Sequence, residues 1–186
     1  MKNRDHFALV TNAATRRQLI LAAFTGTAVL PSAVRAAGDQ GISRTAESIH
    51  QEPAFLARPQ RIYQVLTDAR EFGNMMKFSA DMQAAMAAGG KPTEISDKVG
   101  GPFTLFGGHI VGRQVELIPG ERIVQAWRVV DWKPGVYSIM KFELTAQGSG
   151  GTKIIFDHAG FPEGKAQHLA EGWKGHYWEP LRRYLA

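Results

Sequence analysis

The stretch that most limits what this chain can fold into is Gly172-Trp173-Lys174-Gly175-His176-Tyr177-Trp178-Glu179-Pro180-Leu181-Arg182-Arg183-Tyr184-Leu185. Trp173, His176, Tyr177, Pro180, Leu181 and Tyr184 recur at three- and four-residue steps, which puts them on one face of a helix. A face carrying that much aromatic surface must be covered by something broad. The only candidate upstream is a strand-rich region that ends at Phe156-Asp157-His158, so a curved antiparallel sheet against a C-terminal helix is the expected core.

The rest of the chain supplies the parts in order. Ser48 to Ala57 reads as a strand. Arg58 to Thr67 reads as a helix with Pro59 in its first turn, where a missing N–H costs nothing, and Ile62, Val65 and Leu66 as its buried stripe. Asp68 to Phe78 suggests a second short helix. Ser79 to Gly90, rich in Ala and Met, reads as a helical insertion or a mobile loop. Strands follow over Val99–Phe106, His109–Ile118, Arg122–Val130, Val136–Thr145 and Thr152–His158. Their turn signals are Gly107-Gly108, Pro119-Gly120, Trp132 to Gly135, and Gly148 to Gly151. A helix from about Lys165 to Leu185 closes the chain. This order predicts an α+β architecture.

The amino-terminal segment reads as an address. Thr15-Arg16-Arg17-Gln18-Leu19 followed by an uncharged, moderately apolar run to Val34 fits a twin-arginine export signal over residues 1–36, with cleavage after Ala36 and a linker over 37–48. An ordinary secretory signal uses the same features, so that route stays open. Either one predicts a periplasmic protein with no stable membrane span after signal removal, because Pro31 interrupts a run shorter than the roughly 20 apolar residues a span needs. The formal charge of +5 sits largely in this segment: Lys2, Arg4, Arg16, Arg17 and Arg35 against Asp5 leave +4 there and +1 for the remainder. A nearly neutral body argues against a nucleic-acid partner. The chain has no cysteine, which excludes disulfides, thiolate nucleophiles and cysteine-ligated metals.

Beyond the order of elements, particular residues carry a resemblance. They are Pro92 to Ile95, Val99-Gly100-Gly101-Pro102-Phe103-Thr104-Leu105-Phe106-Gly107-Gly108-His109-Ile110, Glu116 to Pro119, Ile123 to Arg128, Gly172-Trp173 and Tyr177-Trp178. Together they resemble the activator of heat-shock protein 90 ATPase homologue family, within the START-like (SRPBCC) superfamily, over residues 49–186. The resemblance implies a helix-grip fold, a curved antiparallel sheet wrapped around a long C-terminal helix, with an internal apolar pocket. The segment Ser79 to Gly90 is longer than that pattern. The separate amino-terminal domain of the eukaryotic activators is expected to have no counterpart in this chain.

Strand alternation gathers Phe103 with Leu105, then Ile123, Gln125, Trp127 and Val129, then Ser138, Met140 and Phe142, then Ile154, Phe156 and His158. If those are the inward faces, Phe103, Trp127, Ser138, Met140, Phe156 and His158, with Trp173, His176 and Tyr177 from the helix, are the candidate ligand-binding residues. The expected ligand is a small apolar or amphipathic molecule. A filled core with satisfied polar residues is the competing reading. Asp157 points to the opposite face from His158, so adjacency makes no dyad, and a hydrogen-bonded structural role suits His158 as well as a ligand contact. His109, His158, His168 and His176 lack the spacing of a zinc helix, no glycine-rich phosphate loop or nucleophile elbow is present, and no cofactor, metal or catalytic residue is assigned. Trp132, in a turn, is placed to guard a pocket mouth or mark an interaction patch. A protein-interaction or co-chaperone-like module with a protein partner, and an enzyme using His158 or His176 as acid or base in the same cavity, remain the alternatives.

Overall fold

Alternating apolar side chains build the sheet, and the computed structural model, which describes residues 47–186, shows where each one goes. The expected export signal and the linker up to residue 46 lie outside the described residues. The strands are β1 (Ser48–Gln51), β2 (Ala54–Phe55), β3 (Glu94–Ile95), β4 (Pro102–Leu105), β5 (Ile110–Ile118), β6 (Arg122–Val129), β7 (Ser138–Gln147) and β8 (Gly151–Ala159). They pair antiparallel in the order β1-β8-β7-β6-β5-β4-β3, with β2 also on β8. Register sets Trp127 opposite Ser138, Met140 between Gln125 and His158, and Phe142 opposite Phe156. These side chains form one inward, buried layer. On the outer face lie Lys141 and Asp157, joined by an ion pair of 3.2 Å.

Three departures from the sequence reading have physical causes. The first strand divides at Pro53, which has no N–H for the ladder, and its carbonyl instead accepts from the Ile154 N–H at 2.9 Å. The Gly107-Gly108 hairpin is a 3-10 turn, Phe106–Gly108, in which Phe106 itself has φ 54°. β3 is a two-residue strand, too short to show a period. Close approach explains one glycine: a Cβ on Gly112 would lie 2.2 Å from both the Ala126 carbonyl oxygen and Phe103 Cζ, so only glycine lets the Phe103 ring cross β5.

Between β2 and β3 run α1 (Pro59–Thr67), α2 (Ala69–Met76) and α3 (Ala80–Ala87). Ile62, Val65 and Leu66 are the buried residues of α1. Asp68 ends that helix and caps the next, its carboxylate accepting from the Glu71 N–H at 2.9 Å. Residues 79–90 are thus mainly helical. No described helix is long and apolar enough to cross a membrane.

The C-terminal element is α4 (Ala166–Trp173), a π turn (Lys174–Trp178) and α5 (Glu179–Leu185) rather than one uniform helix. The wider turn inserts an extra residue, so Trp178 joins Trp173, Tyr177 and Leu181 among the buried residues. Gln51 of β1 straddles this turn: its Nε2 donates to the Ala170 carbonyl at 3.0 Å, and its Oε1 accepts from Trp178 Nε1. Glu47 accepts from the N–H groups of Gly164 and Ala166 at the start of α4. At the far end the Tyr184 hydroxyl donates to Glu71 at 2.8 Å, and Arg61 pairs with the same carboxylate at 2.7 Å. The helix is held to sheet and helices along its whole length.

Candidate functional site

Aromatic rings fill the space under the helix. Trp173 lies 4.3 Å from Phe156 and 4.2 Å from Tyr177, centroid to centroid. Trp178 covers Phe156 at 5.3 Å and Phe142 at 6.0 Å. Toward β8 the packing ends in a polar chain. The Trp173 indole N–H donates to His158 Nδ1 at 3.0 Å, so the imidazole proton sits on Nε2 and is donated to Ser138 Oγ at 2.7 Å. Ser138 in turn donates to the Trp127 carbonyl at 3.0 Å. His158 is fully buried, and burial pushes its pKa down to about 4, so it is neutral at ordinary pH. Its two ring nitrogens are both occupied by protein. Phe103, Ser138, Met140, Phe156 and His158 are buried in the interior and are not among the residues that line the cleft beside the helix.

The opening lies to one side. A cleft of about 740 Å³ runs between α4 with the π turn and the ends of β5 and β6. Of the sequence-nominated residues, Trp127, Trp173, His176 and Tyr177 line it. Phe106, Ile110, Val129, Trp132, Leu169 and Gly172 complete the apolar wall, and His109, Asp131, Lys165, His168 and Glu171 supply polar groups. Trp132 stands edge-on to Trp127 at 5.5 Å, held from behind by Arg128, whose Nη2 donates to the Trp132 carbonyl. Phe106 forms the opposite corner, 5.2 Å from Tyr177 and 5.8 Å from Phe72. A bulky residue at φ 54° is an unfavourable backbone state. Such strain concentrates where a side chain must be aimed at a binding surface. The Phe-Gly-Gly sequence was the available sign, but it reads equally as a plain turn.

Several buried polar atoms of the domain lack partners, Gln125 Oε1 in the sheet interior among them. Trp127 Nε1, the Tyr177 hydroxyl and His176 Nδ1 are buried and make no hydrogen bond. Such atoms are rare because leaving them unpaired costs about 1–3 kcal/mol each. The Trp127 N–H lies close enough to the Tyr177 hydroxyl to act on its ionisation but does not reach hydrogen-bond geometry. Burial is the dominant influence and pushes the phenol well above its ordinary value. Among the described residues no three His, Asp or Glu side chains come together as a metal-ligand set.

Comparison with known proteins places this geometry. Residues 56–186 match the family described as "Activator of Hsp90 ATPase homolog 1-like protein". The chain is 29% identical over 130 residues to an "Activator of 90 kDa heat shock protein ATPase homolog" of Dictyostelium discoideum, covering 70% of this chain and 30% of that protein. It is 22% identical over 129 residues to the human homolog 1, covering 69% and 34%. The chain thus spans about a third of these curated relatives. Among solved structures it resembles an HSP90 activator from Plasmodium falciparum, with TM-score 0.60, 23% identity, and 70% and 89% of the two chains covered. It also resembles CalU16 from Micromonospora echinospora, with TM-score 0.59, 18% identity, and 76% and 77% covered. At these identities the structural likeness speaks for the fold alone.

Proposed function

Because the chain belongs to the family of activator of Hsp90 ATPase homolog 1-like proteins, whose helix-grip fold it shares, we propose that it binds a small apolar or amphipathic molecule in the cleft beside the C-terminal helix. The observation that carries this reading is an aromatic-walled cleft of about 740 Å³ with polar groups at its edge. That volume falls in the range of small-molecule sites, roughly 300–1,000 Å³. The amino-terminal Arg16-Arg17 segment supports the further proposal that the domain works in the periplasm.

Gly172 offers a direct test. It lines the cleft, and a Cβ added there would meet only His176 Cδ2, at 3.9 Å. Gly172→Leu should fill the cleft while gaining up to about 1 kcal/mol of helix propensity. Uptake of anilinonaphthalene sulfonate should weaken by about tenfold or more, since the displaced volume is that of a leucine side chain, with the melting temperature unchanged or raised. Undiminished uptake refutes the assignment.

A second reading, a protein-interaction module, draws on the names of the relatives and on Tyr137 and Ile139, which are exposed along β7 and the turn before it. Native mass spectrometry of the purified protein separates the two. A co-purifying small molecule favours the cleft; a bound protein favours the module.

A further inference from the structure

A strained residue stands at one end of the cleft. Phe106, Gly107 and Gly108 follow one another with φ 54°, 66° and 96°. The two glycines take such angles freely, and a phenylalanine does not. A third glycine would serve the turn better, so the turn explains the backbone and not the ring. Nor is the ring free to swing. The Phe106 carbonyl accepts from the His109 N–H at 3.0 Å, and the Gly107 carbonyl from the Lys91 N–H at 2.9 Å. Behind the ring stands Phe72 of α2, which is 1% exposed, edge-on at 5.8 Å; beside it stand Tyr177 at 5.2 Å and His176 at 6.3 Å.

Ring contacts give the cleft a direction. From Phe106 they run to Tyr177, on to Trp173 at 4.2 Å, to Trp127 at 6.0 Å and to Trp132 at 5.5 Å. Charged groups stand away from the Phe106 end. Lys165 leads into α4, roughly 18 Å of helix before Tyr177, and Asp131 adjoins Trp132 at the far end of the row. An amphipathic ligand fits this layout in one sense, its head by Lys165 and Asp131 and its tail toward Phe106, because a polar head left among rings would lose its water without replacement. Resting on the cleft-binding reading above, we propose that Phe106 is the end stop of the cleft and fixes the length of apolar tail that the cleft accepts. The ring both lines the cleft and meets Phe72. Trimming it to a methyl group therefore extends the cleft as far as Phe72.

The test titrates the full chain with straight-chain 1-alkanols from butanol to dodecanol, followed by the emission of the cleft tryptophans. Wild type should bind each longer alcohol about fourfold more tightly, the transfer value of one methylene, up to a limiting length and then no further. In Phe106→Ala the short alcohols should bind as they do to wild type, while lengths beyond the wild-type limit resume the same gain per methylene. Phe106→Leu, which keeps a smaller apolar side chain against Phe72, should place the limit between the two, and it carries the test if the alanine variant fails to fold. A ring needed for stability alone would weaken every length alike and leave the limit in place. An unchanged limit in the variants, or a wild-type affinity that climbs through dodecanol without levelling, overturns the end stop and leaves cleft binding standing. If wild type binds none of the alcohols, both fall.

Discussion

Lowering the pH should destabilise this protein through His158. The imidazole is fully buried, has no carboxylate among its hydrogen-bond partners, and uses Nδ1 to accept from Trp173. Protonating Nδ1 would set one N–H against another and leave a desolvated cation. The folded-state pKa is accordingly depressed from 6.5 to about 4. As pH falls through 6.5 the unfolded chain takes up a proton that the folded chain refuses, so the unfolded state binds more protons and stability drops. The stabilisation is complete above 6.5, declines with falling pH, and is gone below about 4. The whole window is worth about 3 kcal/mol, and about 2 kcal/mol of it should be lost between pH 7.5 and 5. His50 works in the opposite direction, because its hydrogen bond to Asp157 raises its pKa and favours the folded state as it protonates. Urea unfolding of wild type and His158→Gln at both pH values cancels that contribution. The variant should begin less stable at pH 7.5 and lose about 2 kcal/mol less than wild type on acidification. Parallel losses in the two proteins would refute the neutral, network-bound histidine.

Trp173→Ala removes the ring that packs on Phe156 and Tyr177 and the donor to His158, so it should cost about 3–5 kcal/mol, read as a large drop in melting temperature. A small drop would mean that the ring is dispensable to the core. Replacing Arg16 and Arg17 with lysine should hold the protein in the cytoplasm, checked by fractionation. Unchanged periplasmic delivery would indicate an ordinary secretory route.

How far the sequence could be read varies with the kind of constraint. Period-two alternation is enforced by the pleat, so the inward residues of β6, β7 and β8 were legible: Ile123, Gln125 and Trp127, then Ser138, Met140 and Phe142, then Ile154, Phe156 and His158. Alternation says which face a side chain takes and not how deep it lies. That is why alternation groups Met140 and Phe156 with Trp127, although the former are walled in and the latter borders the cleft. Trp178 escaped the helical period because the π turn shifts the phase just before it. Phe106 and Trp132 sit on connections, where backbone angles and the packing of Phe72 and Arg128 decide direction and periodicity is silent.

The π turn also sets what can vary independently. One extra residue turns the end of the element by about 100° relative to an unbroken α-helix. Upstream of it, α4 presents Leu169, Gly172 and Trp173 to the cleft; downstream, α5 presents Leu181 to the core and Tyr184 to Glu71. The two segments work like keys cut at different angles on one shaft. Leu169 and Gly172 on the upstream key can vary while Trp173 and the downstream key stay seated. Removing a single residue at Lys174 or Gly175 would align the two cuts, draw Trp178 away from Gln51, and unlock both at once.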